Sequence, residues 1–343
     1  MTSNSTINLE FADRKRTEMP GLHRIGALEI DLSQLAPLSE HGQGRAVLGE
    51  ASWQHAFNLP KQDAKSSINS SPYPEIHDSI AQLAHLVFTG FQKKLDRYVG
   101  SHTKSSPKPL ILGVSGSVSV GKSTFAEQLK ACLSKLPPNP SVEIVSTDGF
   151  LKKNDDLQRQ GLFERKGFPE SYDQKKVAVF LDQLANGRHT LSIPEYSHVI
   201  RDVLPLQRHA MMPDILILEG VNVLQNPRPL KEVGASQSFA NALDYSFYLD
   251  AQEEDIRRWY VSRFIQLRRN TSGEVGSEDG SSCTDSCTGR LNQEALDTWS
   301  RVNLPNLKHH IFPTRMSADL ILRKNSYHCL VEMHPKLSDT EFG

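Results

Sequence analysis

Gly116, Gly121, Lys122 and Ser123 stand in the spacing G-x-x-x-x-G-K-[ST], inside the stretch GVSGSVSVGKST at residues 113–124. Glycines let a backbone turn tightly enough to aim successive N–H groups at phosphate oxygens. A helix beginning near Lys122 would add the positive end of its dipole. The cradle so defined runs through Gly116, Ser117, Val118, Ser119, Val120, Gly121, Lys122, Ser123 and Thr124. Lys122 would neutralise charge near the β- and γ-phosphates of ATP, and the Ser123 hydroxyl would ligate Mg²⁺. A surface glycine turn next to a lysine is the bland alternative. The apolar run PLIL before the stretch and the helical pattern after it argue against that.

Phosphate loops serve switches, motors, sensors and kinases alike, and acids distinguish among them. VEIVSTDGF places Asp148 just past the end of an apolar run, and DILILEG does the same for Glu219. In an open parallel sheet, ligands bind beyond the carboxyl ends of the strands, so both carboxylates should converge on the phosphates. Asp148 could take the proton of an attacking hydroxyl, and Glu219 could help to hold Mg²⁺. Each could instead only cap a helix.

Several elements must exist to position these groups. Short apolar runs at 110–114, 142–146, 215–218, 247–249 and 320–322 alternate with helical patterns. Near-continuous apolar runs of that kind suit strands buried on both faces. The expected architecture is therefore α/β, a parallel sheet flanked by helices. Ala126, Leu129, Leu133 and Leu136 share one face of the helix after the loop, which should stop at PPNP. Ile76, Ile80, Leu83, Val87, Phe91, Leu95 and Tyr98 recur at three- and four-residue steps, predicting an amphipathic helix at about 74–99. Residues 1–105 thus read as an N-terminal extension carrying that helix, and 106–343 as the main domain. Residues 270–289, NTSGEVGSEDGSSCTDSCTG, are rich in Ser, Gly, Thr and acids, and read as a mobile surface loop.

With 39 basic and 40 acidic residues among 343, the net charge of -1 gives no sign of a nucleic-acid or anionic-membrane surface. A small-molecule substrate fits better. The four cysteines follow no disulfide framework, and the N-terminal residues lack an apolar signal region. No apolar run approaches the roughly 20 residues that span a bilayer. These features fit a cytoplasmic protein. Cys283 and Cys287 lack the second ligand pair that a structural zinc site needs.

The segments GVSGSVSVGKST, STDGFL, KGFPESYD, YSHVIRDV, PDILILEGVNVLQ, WYVSRF and NLKHHIFPTR together resemble the bacterial type I pantothenate kinases. These form a branch of the P-loop kinases that also includes uridine kinases and phosphoribulokinases. The resemblance runs from about residue 110 to 323. It implies a P-loop kinase fold, ATP-dependent phosphorylation of pantothenate's primary hydroxyl, and a homodimer. It also implies that Lys122 bridges the transferring phosphate, that Asp148 is the base and that Arg263 of WYVSRF steadies the charge on the transferring group. Tyr196 and His198 of YSH, Tyr260 of WYVSRF and Asn306 of NLKHH match family positions that contact the acceptor or coenzyme A. Tyr260 as core filling and Asn306 as a helix cap are the plainer readings of those two residues.

The chain departs from the family in three places. Where the family carries an aromatic-rich segment walling the pantothenate pocket, this chain reads LRRNTSGEVGSEDGSSCTDSCTGRLNQEAL, without Phe or Tyr. Glu127 stands where the family has a basic residue that helps to bind coenzyme A as feedback inhibitor, and Leu267 replaces an aromatic. Weak coenzyme A feedback is the expectation. Three functions stay open at this level: a pantothenate kinase, a related kinase acting on another hydroxyl compound, and a non-catalytic nucleotide-binding regulator.

Overall fold

Leu110, Leu112 and Val114 face one side of a sheet while Ile111 faces the other, and every one of them is buried. The computed structural model describes residues 74–100, 108–186, 189–226, 238–271 and 285–335. Its first strand, β1 (Leu110–Gly116), is buried along its whole length. The same two-sided burial recurs in β5 (Ile215–Glu219), where Ile215 and Ile217 belong to one core and Leu216 and Leu218 to the other. Strands with apolar residues on both faces are stable only when both faces are covered, which is why the runs lack alternation.

The sheet has the order β2 (Val142–Ser146), β5, β1, β6 (Tyr245–Asp250), β7 (Leu320–Lys324), β8 (Leu330–Pro335). All its pairings are parallel except the last, β7 with β8. The five expected strands are present. On one face lie α1 (Pro74–Gly100) and α2 (Lys122–Leu133), which share a core with the sheet. Phe125 of α2 meets Phe247 of β6 edge-on, with ring centroids 5.5 Å apart. Ile80, Leu83, Val87 and Phe91 of α1 are buried in that same core, as their spacing predicts. On the other face, α4 (Gln174–Ala185) packs Val177, Phe180, Leu181 and Leu184 against the sheet. A short helix, α3 (Asn154–Arg159), precedes it.

A separate antiparallel hairpin, β3 (Thr190–Ser197) and β4 (Asp202–Met211), also covers this second face. Leu191, Ile193 and Val203 anchor it in the second core. The short α5 (Phe239–Ala242) adds Phe239 there. After β6 come α6 (Glu253–Thr271) and α7 (Asp285–Thr298), then a run of wider and tighter helical turns from Trp299 to Ser317. Of the stretch 270–289 read as a loop, residues 270–271 close α6 and 285–289 open α7. Residues 272–284 lie outside the described residues, as do residues 1–73.

Candidate active site

The carboxyl ends of β1, β2 and β5 meet at one edge of the sheet. Register places Glu219, the last residue of β5, opposite Val114 of β1 and Ser146 of β2. It therefore sits between the phosphate loop and the turn Thr147–Phe150 that carries Asp148. Thr147 Oγ1 donates to Asn222 Oδ1 at 2.5 Å, tying that turn to the segment after β5. Gly149 lets the same turn press on the hairpin, since a side chain there would begin 2.1 Å from the Pro194 carbonyl oxygen.

Between β1 and α2 the loop is wound tightly, with Ser119 at φ 59° and Gly121, the N-cap of α2, at φ 92°. Lys122 folds back so that its Nζ donates to the Ser117 carbonyl at 2.8 Å. Ser123 and Thr124, in the first turn of α2, are exposed. Burial lowers the pKa of Lys122, the carboxylates of Glu219 and Asp148 oppose that shift, and Arg263 of α6 adds to it. Charges from three other elements thus act on Lys122. Glu219 is 6% exposed, and its carboxylate makes no hydrogen bond or ion pair among the described residues. A buried carboxylate beside a phosphate loop fits a hard cation, because Mg²⁺ takes one or two carboxylates and fills its other positions with phosphate and water. No group of three or more His, Cys, Asp or Glu that could hold a metal ion occurs among the described residues.

Tyr196, at the end of β3, reaches this site from the hairpin. Its pKa is pushed up to about 12, first by burial and then by the charge of Asp148, so it stays a protonated donor. His198 is exposed and meets the Tyr196 ring edge-on at 5.3 Å. Tyr260 packs between Phe264 and Trp299, with ring centroids 6.0 and 5.8 Å away. Burial raises its pKa, and the positive charge of Arg201 from the hairpin turn acts on it. Asn306 is buried and does not cap its helix. Its Nδ2 donates to the Gly167 carbonyl at 2.8 Å, while its Oδ1 has no partner among the described residues. The structure therefore groups Lys122, Asp148, Glu219, Arg263 and Tyr196. His198 joins them through Tyr196, and Asn306 fastens the segment beside them.

Two residues of KGFPESYD, quoted above only as a motif, complete the surroundings of Asp148. Lys166 donates to Asn154 Oδ1 and to the Arg201 carbonyl, each at 2.6 Å, and its ammonium lies 4.9 Å from the centre of the Tyr196 ring. Burial lowers its pKa, with Asp202 and Asp148 opposing. Tyr172 is 2% exposed, and its hydroxyl has no partner among the described residues. Burial, then Asp148 and Glu219, holds that phenol well above its ordinary range. Backbone bonds from Lys152 N to Ser171 O, 2.9 Å, and from Asp173 N to Phe150 O, 2.8 Å, lash this segment to the Asp148 turn. The signal available in the sequence was the motif itself, without a role for either side chain.

The chain is similar in sequence to known kinases. A model of the family described as Phosphoribulokinase / Uridine kinase family matches residues 111–275. A pantothenate kinase of Streptomyces coelicolor is 43% identical over 244 residues, covering 70% of this chain and 73% of its own. One from a Bradyrhizobium species is 46% identical over 228 residues, covering 64% and 69%. One from Rhodococcus erythropolis is 38% identical over 264 residues, covering 75% and 81%.

Proposed function

We propose that this chain, which belongs to the pantothenate kinase family, transfers the γ-phosphoryl group of ATP to the primary hydroxyl of pantothenate, the first step of coenzyme A synthesis. The observation that carries the reading is the convergence of Lys122, Asp148, Glu219 and Arg263 on one site. A protein that only senses a nucleotide has no use for a base facing its phosphate loop.

In the proposed reaction the acceptor oxygen forms a bond to the γ-phosphorus while the bond from that phosphorus to the β–γ bridging oxygen breaks. ADP leaves, and the acceptor's proton passes to the Asp148 carboxylate. An alcohol is far less acidic than a carboxylic acid, so the base acts late and most of the acceleration comes from positioning and charge neutralisation. Lys122 supplies part of that neutralisation. Arg263 supplies the rest as a planar fork of donors that stays charged. Ser123 and Glu219 would hold Mg²⁺, which when bound neutralises the β- and γ-phosphate oxygens. Tyr196, His198, Tyr260 and Asn306 belong to the acceptor side, where hydroxyl, imidazole and amide groups suit a chain of hydroxyl, amide and carboxylate.

No described helix is long and apolar enough to cross a membrane. We place the enzyme in the cytoplasm as a homodimer acting on a small molecule. One observation favours a second reading, a kinase for another hydroxyl compound: residues 267–296 contain no Phe or Tyr to wall the acceptor pocket. ADP release measured against pantothenate, pantetheine, uridine and phosphorylated sugars separates the two. Preference for pantothenate is expected. Turnover of another compound with none on pantothenate would overturn the first reading.

A further inference from the structure

Lys324 ends β7, a parallel strand whose carboxyl end lies at the same edge of the sheet as the phosphate loop, and only 8% of it is exposed. Its Nζ donates to the Val120 carbonyl at 3.1 Å. It also lies 2.9 Å from the point where a side chain on Gly121 would begin. The ammonium is thus lodged against the last turn of the loop, next to Lys122. Among the described residues no carboxylate forms an ion pair with it. The ionisable groups acting on it are Lys122 of α2, which repels it, and Cys329 from the turn before β8, which attracts it. His328 in that turn feels Lys324 as a like charge.

A buried ammonium with three donors and one carbonyl acceptor is undersatisfied, and a second lysine beside it adds repulsion. Burial is the main cause that pushes Lys324 down to about 8. Lys122 has the carboxylates of Glu219 and Asp148 to oppose its charge, whereas no carboxylate acts on Lys324, and an anion on the loop would complete its surroundings. The loop that both lysines touch is shaped to receive polyphosphate. We propose that Lys324 is a second cation of the phosphate site, holding the loop through the Val120 carbonyl and stabilising the polyphosphate of the bound nucleotide from beneath. This rests on the reading of ATP as donor.

The test is calorimetric titration of the full chain with MgADP, for wild type, Lys324→Met and Lys324→Arg, at pH about 7 and about 9. Lys324→Met should bind about tenfold more weakly at the lower pH, and Lys324→Arg within about threefold of wild type. The unliganded Lys324→Met protein should melt no lower than wild type, because the change removes a buried charge that lacks an ionic partner. The protonated lysine favours the anion, so wild-type affinity should fall as pH rises through about 8, whereas Lys324→Met should show a flatter dependence. Cys329→Ser should keep the wild-type slope, which assigns the slope to the lysine. Equal affinity of wild type and Lys324→Met, or equal pH slopes, would overturn the inference. Should Lys324→Met not fold, Lys324→Gln and the wild-type slope decide, and a wild-type affinity that does not change between the two pH values counts against it. A wild-type protein that fails to bind MgADP would remove the donor reading itself, a different failure.

Discussion

Glu127 lies exposed on α2, one turn beyond the phosphate loop, where the resemblance calls for a basic residue. A carboxylate there repels the phosphate-rich part of coenzyme A, whereas a base would attract it. Coenzyme A should therefore compete poorly with ATP in a steady-state inhibition assay. Inhibition at low micromolar coenzyme A would contradict that expectation. Residue by residue, legibility followed sequence distance. Lys122 and Ser123 are fixed by a contiguous loop, and Asp148 and Glu219 by their place at the ends of apolar runs. Lys166, Tyr172 and Lys324 gave no such signal, because each acquires its surroundings only through packing. Lys324 meets Val120 from 204 residues further along the chain.

Among the elements, the KGFPESYD segment is the one that most clearly couples fold to site. Its Ser171 Oγ accepts from Gly167 N at 2.9 Å and donates to the Phe168 carbonyl at 2.7 Å. Its final residue, Asp173, caps α4 by accepting from the N–H groups of Lys175 and Lys176, at 3.1 and 3.2 Å. Asp173→Ala should cost about 1 kcal/mol, read as a lower urea midpoint, and Asp173→Ser should recover most of it. An unchanged midpoint would mean that the cap contributes nothing. The five buried strands were legible because both their faces are apolar. The β3–β4 hairpin was not, since β4 exposes most of its side chains beyond Val203. The start of α7 reads as a polar loop, and it is the later Ala295 and Trp299 that are buried. There tertiary packing overrides a composition that favours irregular structure.

Over the whole molecule, two cores on opposite faces of one sheet hold the strand ends in register. Helix α1, which the sequence pattern set apart as part of an extension, contributes Ile80, Leu83, Val87 and Phe91 to the first core. The phosphate loop and α2 rest on that core, while the hairpin bearing Tyr196 and the segment bearing Lys166 and Tyr172 rest on the second face. The phosphate loop thus comes from one face of the sheet and the elements bearing Tyr196, Lys166 and Tyr172 from the other, with the Asp148 turn at the carboxyl edge between them, while Tyr260 packs against the first core. The most direct test of that account is mass-spectrometric and NMR analysis of the product formed from pantothenate and MgATP by wild type and by Asp148→Asn, with nucleotide binding measured in parallel. The account predicts one phosphate on pantothenate's primary hydroxyl, formed at least about a hundredfold more slowly by Asp148→Asn while nucleotide binding is nearly unchanged. ADP formation without phosphorylated pantothenate, or an Asp148→Asn protein as fast as wild type, would contradict it.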